Sequence, residues 1–340
     1  MKREQSKESR EKRAKRVFLF FSLFSALFAL SSCASTRGIR AEEYFTIGMA
    51  YYELGQNTAV AANRERFFRE AERWLNMARS ADRTMVASEY NLGRIAFETG
   101  RFETAARHFE RILVRDPDNV MALRAAAFSR IKNGDLDKAV LHYDRVLELV
   151  PESADDGFNH ALVLFAMNRF ADSEAVLLRF PFALEERAAS VLLLARAQKA
   201  QNRTEAVDTY ARWVAMVGTP TPQGLHEYAL VLEAAGFYAL ALEQYQRAID
   251  SLEAGTGNLQ ISALRFEKAR LLLTVDPENP EGIAELKRAV SETFTDTAAK
   301  EALLLDTRIT QANREEIRRI LTPAPPEPAE TLDEETGLEN

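Results

Sequence analysis

The chain has 340 residues, a formal net charge of −7, and 46% hydrophobic and 28% charged residues. This composition is typical of folded proteins, and the length allows two ordinary domains or one elongated array of repeats. The net acidic charge gives no support for nucleic-acid binding, because such binding needs a concentrated basic surface. A single cysteine excludes an internal disulfide.

The N-terminal sequence has the pattern of a secretory signal. The basic segment MKREQSKESREKRAKR precedes the nearly all-apolar residues 17–30, a stretch shorter than the roughly 20 residues that span a bilayer. The sequence LSSC then ends at Cys33 and resembles the bacterial lipoprotein signal. That resemblance implies that 1–32 is a signal peptide, that Cys33 is diacylated through its sulfur, and that 33–40 is a lipidated linker. The alternative is an uncleaved signal anchor with an incidental cysteine.

Beyond residue 40 the sequence repeats with a period of 34 residues. Four pairs of residues share this separation: Gly100 and Gly134, Ala105 and Ala139, Phe109 and Tyr143, and Pro117 and Pro151. Apolar residues within each unit recur at spacings of three and four, which predicts two amphipathic helices. The pattern resembles the tetratricopeptide repeat (TPR) family over about 41–295. The resemblance implies an all-α fold, a right-handed TPR superhelix (α-solenoid) of about six to seven helical hairpins.

Small residues predict how the helices meet and end. We expect Gly93 and Ala105 where the two helices of a hairpin touch, because bulkier side chains would hold the axes apart. Gly100 and Gly134 are predicted to end first helices with positive φ. Asn168 replaces the glycine in the next unit, and asparagine is the best substitute in a left-handed cap.

The two ends of the array depart from the regular pattern. Residues 44–55 predict a first helix, but its partner begins about eleven residues late, so we expect an insertion that lengthens this hairpin. Residues 296–321 predict capping helices, which cover the last apolar face of a solenoid. The tail 322–340 has four prolines, six acids and no base, and we expect it to be disordered.

No cluster of residues with the spacing of a catalytic or metal site occurs. His108 and His142 are separated by one repeat without a third ligand nearby, and we interpret them as residues of a solvated helix face. No glycine-rich phosphate loop, nucleophile elbow or HExxH motif is found. The sequence therefore predicts no enzyme activity, no metal and no cofactor.

The resemblance to TPR proteins implies that first helices line a concave face whose free positions contact a partner. Carried over by position, these are Phe45, Met49, Tyr52, Tyr90, Arg94, Phe97, Arg124, Phe128, Ile131, Phe158, Leu162 and Phe165. Such an aromatic lining, with Arg94 and Arg124 as its clearest cations, suits an apolar or amphipathic helix of a protein partner. The alternative is that these aromatics pack against neighbouring helices.

Together these features predict a membrane-tethered TPR lipoprotein that acts as a protein-interaction scaffold in the bacterial envelope. Ala34, rather than aspartate, follows the cysteine, which under the usual sorting rule favours the outer membrane, facing the periplasm. Assembly of outer-membrane proteins, secretion complexes or cell-wall complexes would fit. The alternative is a surface-exposed adhesin or host-interacting antigen.

Overall fold

The computed structural model describes residues 38–255 and 259–322. The predicted signal peptide, the lipidation site Cys33 and the tail beyond residue 322 lie outside these residues. Every regular element in the described ranges is a helix, which confirms the all-α prediction. Residues 38–40, expected in the linker, are already helical.

The chain divides into two compact units, with the boundary after Val176, a division that the sequence did not predict. Unit 1 is a series of antiparallel helices with short connections. Its helices are α1 (38–57), α2 (Ala61–Ala81), α3 (Val86–Glu98), α4 (Phe102–Leu113), α5 (Val120–Asn133), α6 (Leu136–Leu149) and α7 (Ala154–Ala166), followed by α8 (Phe170–Leu178), which crosses the boundary.

Unit 2 continues the same alternation of helices. Its members are α9 (Pro181–Glu186), α10 (Ala188–Ala200), α11 (Ala206–Met216), α12 (Pro222–Ala234), α13 (Tyr238–Glu253), α14 (Ile261–Val275), α15 (Pro280–Ser291), α16 (Thr297–Leu305) and α17 (Gln311–Leu321). Within this unit α12 packs on α13 and α14 packs on α15, as consecutive helices of hairpins do.

The helix ends confirm the predicted turn chemistry. Gly100 and Gly134 have φ of 74° and 82°, and Asn168 has φ of 59°. A Cβ atom built on Gly93 would lie 2.7 Å from the Phe109 ring, so α3 and α4 approach too closely for a side chain at this position. Ala105 is fully buried at the same contact.

The insertion in the first hairpin extends its helices instead of its loop. Only residues 58–60 separate α1 from α2, and the extra residues add about one turn to α1 and about two turns to α2. Gly55, which is in register with Gly100, therefore lies inside a helix. Its role is close packing, since a Cβ atom there would lie 2.6 Å from the Phe68 ring.

The helices α16 and α17 pack on the preceding hairpin. Leu303 of α16 and Ile317 of α17 join Phe266, Leu273 and Leu286 in one buried cluster. This contact buries apolar surface of α14 and α15 that would otherwise face solvent, the arrangement expected of capping helices.

Gly224 provides a test of packing in unit 2. A Cβ atom at this position of α12 would lie 2.1 Å from Trp213 Cη2, so Gly224→Ala is expected to reduce the free energy of unfolding by about 1–3 kcal/mol, net of the helix propensity that alanine gains. Chemical denaturation measures this change. Gly218→Ala is the matched control because nothing lies within 4 Å of its Cβ position, and an equal loss in both variants would contradict the account.

Candidate partner-binding surface

The twelve predicted lining residues form three rows along the first helices of unit 1, namely α1, α3, α5 and α7. Each row takes one residue from each helix. The N-terminal row is Phe45, Tyr90, Arg124 and Phe158; the middle row is Met49, Arg94, Phe128 and Leu162; the C-terminal row is Tyr52, Phe97, Ile131 and Phe165. The structure brings the residues of each row onto equivalent positions, but it buries the three rows to different extents.

The middle row contains the most exposed apolar side chains of the three. Phe128 and Leu162 are both 47% exposed, whereas Met49 and Arg94 are half-buried. Exposed large apolar residues at matching positions of adjacent repeats form a surface that costs free energy to leave hydrated. Such residues commonly mark interaction sites.

The C-terminal row packs mainly against second helices. Tyr52 is 1% exposed, its ring stacks on Phe68 at a centroid distance of 5.8 Å, and its hydroxyl donates to Glu98. Burial raises the pKa of Tyr52, as does its hydrogen bond to the Glu98 carboxylate. Contrary to the prediction, Tyr52 is therefore a core residue that a partner cannot reach.

Two further members of this row have equivalent edge-to-face contacts. The Phe97 ring lies 5.2 Å from Phe102, and the Phe165 ring lies 5.2 Å from Phe170. In both hairpins the aromatic residue near the end of the first helix packs on the residue that begins the second. Part of each ring's surface therefore packs within the fold, in agreement with the alternative interpretation of these aromatics.

The N-terminal row combines packing with an ion pair. The Tyr90 ring contacts Phe109 edge-on at 5.3 Å. Arg124 Nε lies 3.0 Å from both carboxylate oxygens of Asp156, and its Nη2 lies 2.6 Å from Oδ2. The hydrogen bond to Asp156 raises the pKa of Arg124. Because Asp156 balances its charge, Arg124 is not the free cation that we expected.

Arg94 and Phe128 connect the rows on the surface of α3 and α5. The guanidinium of Arg94 lies 4.9 Å from the centre of the Tyr52 ring, and the Phe97 and Phe128 rings stack at 5.1 Å. A small cavity of about 180 Å³ is lined by Arg94, Phe97, Phe128 and Tyr90. Aromatic and arginine side chains in this arrangement suit an apolar anchor of a bound protein.

The repeated histidines form hydrogen bonds with glutamates of other helices, and the interpretation as a solvated helix face is wrong. His108 Nδ1 lies 2.9 Å from Glu89 Oε1, and His142 Nε2 lies 3.3 Å from Glu110 Oε1. Burial opposes ionisation of Glu110, but hydrogen bonds with His142 and Arg130 outweigh it and lower the pKa of Glu110 to about 2. These contacts could not be predicted from the sequence because each joins two different helices: α3 with α4 for His108, and α4 with α6 for His142.

Other classes of site are not evident in the part of the chain that the structure describes. Residues 38–255 and 259–322 contain no group of three or more histidine, cysteine, aspartate or glutamate side chains placed to hold a metal ion. Across the same ranges, no helix is both long and apolar enough to cross a bilayer.

Comparisons with known proteins agree with this architecture. Residues 90–154 match the family model described as tetratricopeptide repeat. The match covers the two repeats of unit 1 in which the 34-residue period is clearest. No curated protein matches the chain.

Several solved structures share the fold. The C-terminal part of a TPR repeat-containing protein from Cytophaga hutchinsonii is 12% identical, with a TM-score of 0.57 over 71% of this chain and 96% of that one. A tetratricopeptide repeat protein from Parabacteroides merdae is 17% identical, with a TM-score of 0.50 over 76% and 98%. YrrB, a TPR protein with an unusual peptide-binding site, is 14% identical, with a TM-score of 0.49 over 58% and 98%.

The first two likenesses show the fold, which is an all-α TPR solenoid. TPR proteins are generally interaction scaffolds without enzymatic activity. Stacked repeats suit this role because they present extended surfaces for other proteins. A protein-interaction scaffold is therefore the function class that this fold supports.

Proposed function

We propose that this chain is a lipid-anchored scaffold of the bacterial envelope that binds a protein segment on the first helices of unit 1. The observation that carries the proposal is the middle row, in which Phe128 and Leu162 expose apolar surface at the same position of adjacent repeats. A side chain that is half exposed in the free protein gains burial when an apolar partner covers it.

The shape of the middle row suits a helical or extended segment as the ligand. Arg94, Phe128 and Leu162 take equivalent positions one repeat apart along the chain. A partner that follows this row meets anchoring positions at regular intervals, as an amphipathic helix in a groove does. Lys132 Nζ lies 5.5 Å from the centre of the Phe128 ring and supplies a positive charge beside that anchor.

The anchor at Cys33 gives the scaffold its place of action. Two or three acyl chains hold a protein stably on a membrane, because each buried CH₂ contributes about 0.8 kcal/mol and one chain alone is marginal. A binding surface that is held at the membrane raises the effective concentration of partners there. The proposed location is the outer membrane, with the repeats facing the periplasm.

Removal of the proposed acylation site gives a direct test of the anchor. We expect Cys33→Ser to move from the membrane fraction to the soluble fraction and to lose incorporation of radiolabelled palmitate. Ser32→Thr, which keeps the cysteine, is the control and should remain membrane-bound. A Cys33→Ser protein that stays in the membrane fraction after a high-salt wash would contradict the lipid anchor and favour an uncleaved signal anchor.

Orientation and partner are tested together in cells. Proteinase K added to intact cells should spare a periplasmic scaffold and should digest it once the outer membrane is opened. Chemical crosslinking of the lipidated protein should then recover an envelope protein. Digestion in intact cells would instead support the surface-exposed adhesin or antigen.

A further inference from the structure

An open cleft of about 630 Å³ lies in unit 1, where α2 ends, α3 begins and α4 ends. Four arginines line it: Arg79, Arg83, Arg111 and Arg115. Glu89 is the acidic residue among the lining side chains. The cleft is therefore strongly basic in a chain whose formal net charge is −7.

Glu89 is already paired and balances only part of this charge. Its Oε2 lies 3.3 Å from Arg79 Nη1, and its Oε1 lies 3.1 Å from Arg111 Nη1 and 2.9 Å from His108 Nδ1. Burial opposes ionisation of Glu89, but hydrogen bonds with His108 and Arg111 outweigh it and lower the pKa of Glu89 to about 2. The carboxylate is charged at neutral pH, and the cleft keeps an excess of positive charge.

Arg83 and Arg115 supply that excess. Both follow the ends of their helices and are exposed, so neither lies in a last turn, where a cation offsets the helix dipole. Arg115 donates a hydrogen bond to the backbone carbonyl of Arg83. Among the residues that the structure describes, no carboxylate lies within 4.0 Å of either guanidinium. The Asp82 carboxylate accepts from Thr84, which lowers the pKa of Asp82, and Arg115 lowers it further from a longer distance.

The next junction of the array has two more carboxylates, which lie beside the arginine equivalent to Arg111. Arg145 is one repeat after Arg111, and it pairs with Asp118 at 3.0 Å and with Glu148 at 2.6 Å. The residues one repeat before those two acids are Thr84 and Val114. Both neutralising carboxylates are thus missing from the basic cleft.

The start of α3 has no side-chain cap. Met85 precedes this helix without a side-chain hydrogen bond to its first turn, whereas Asn119 caps α5 with a 3.0 Å bond to the Ala122 amide. The Ser88 amide, which is the counterpart of the Ala122 amide, donates instead to the backbone carbonyl of Met85 at 3.2 Å. Met85 and Val86 line the cleft at this point.

Apolar side chains complete the cleft. Val114 is 83% exposed and Val86 is 39% exposed, and both line the cleft with Met85. A small inorganic anion would leave these side chains uncovered. A peptide would pair carboxylates with the arginines and place an apolar side chain on the valines.

We propose that this cleft binds an acidic segment of a protein partner, with carboxylates paired to Arg83 and Arg115 and an apolar residue on Val114. Guanidinium groups bind carboxylates through two parallel hydrogen bonds, which gives both strength and orientation. The site is separate from the three rows, since no residue is common to both. Either proposal therefore fails or stands independently of the other.

Fluorescence anisotropy with purified full-length protein in detergent tests the site. The probe is the fluorescein-labelled peptide Leu-Glu-Asp-Leu-Glu-Glu, and the neutral control is Leu-Gln-Asn-Leu-Gln-Gln. We expect saturable binding of the acidic peptide alone, which weakens as salt rises because the exposed charges are screened. Equal binding of both peptides would overturn the proposal.

Two variants place the binding at the cleft. Arg83→Glu with Arg115→Glu should weaken the peptide about tenfold or more. Val114→Glu should weaken the peptide to the same extent while keeping every arginine. The new carboxylate takes the position that Glu148 has beside Arg145 one repeat later. Because Val114 is 83% exposed, this variant is also expected to fold. Unchanged affinity in either variant would overturn the assignment.

A matched control separates the cleft from net charge. Arg73 and Arg107 lie on α2 and α4 outside the cleft and are 70% and 57% exposed. Their double replacement by glutamate makes the same charge change and should leave the affinity within about twofold. Tighter binding of phosphoserine than of the acidic peptide would also overturn the proposal, in favour of a phosphate site.

Discussion

Replacement of Phe128 and Leu162 by serine is expected to abolish recovery of the partner while leaving the fold intact. Each side chain is 47% exposed, so its loss should cost the fold about 1 kcal/mol or less. Anchor residues of an interface typically contribute about 2 kcal/mol or more each. The double variant should therefore lose about a thousandfold in affinity, measured as the yield of crosslinked partner per molecule of scaffold.

Two controls give this result its meaning. Leu141 on α6 is 66% exposed and lies outside the three rows, so Leu141→Ser should retain the partner fully. Phe97→Ser should instead reduce the free energy of unfolding by about 2–3 kcal/mol, because this ring packs on both Phe102 and Phe128. If the Phe128 and Leu162 variant melts as early as the Phe97 variant, the middle row belongs to the core.

The second large effect is expected in unit 2, at Arg265. Its side chain is 7% exposed, and its Nη1 lies 3.0 Å from Glu285 Oε2 while its Nε lies 3.0 Å from Glu292 Oε1. Glu285 is only 4% exposed. Arg265→Leu leaves this carboxylate buried with Arg288 at 3.1 Å and Lys268 at 3.6 Å as its remaining cations, so we expect a loss of about 2–4 kcal/mol in the free energy of unfolding.

Denaturation followed through Trp213, in a Trp74→Phe background, reports this change in unit 2 alone. Adding Glu285→Leu to Arg265→Leu should recover part of the loss, since it removes the buried carboxylate while Lys268 keeps its contact with Glu281 at 2.6 Å. Lys287→Leu removes an exposed ion pair with Glu316 and should cost about 1 kcal/mol or less. A loss from Arg265→Leu no larger than the Lys287 control would contradict the account.

The repeat period was sufficient to predict most of the local structure of unit 1. A period of 34 residues aligns turn positions, and the backbone requirement at such a turn admits few residue types. This is why Gly100, Gly134 and Asn168 were all predicted with positive φ, and all three have it. The contact of Gly93 with Phe109 followed from the same logic, because close packing of two helices requires a small residue.

The period could not predict how deeply each row is buried. Phe97, Phe128 and Tyr52 share one face of their helices, and helical periodicity places them there equally. Their exposure depends on which second-helix side chain lies opposite, such as Phe68 against Tyr52. That pairing depends on the helix extensions in the first hairpin, which the sequence showed only as an insertion.

Ion pairs between different hairpins also could not be predicted from the sequence. Arg124 looked like a free cation because its balancing carboxylate, Asp156, follows 32 residues later on α7. The basic cleft was missed for the converse reason. Two of its arginines lie in α2 and α4 and the other two follow the ends of those helices. The sequence also contains many paired arginines that look the same, as Arg145 does.

Site-specific photo-crosslinking in living cells tests the central claim most directly, namely that a protein segment lies on the middle row. A benzophenone amino acid replaces Phe128 in one strain and Leu141 in another, both in the lipidated protein. We predict one dominant crosslinked partner from Phe128 and none from Leu141. Equal crosslinking from both positions, or none from Phe128, would contradict the account.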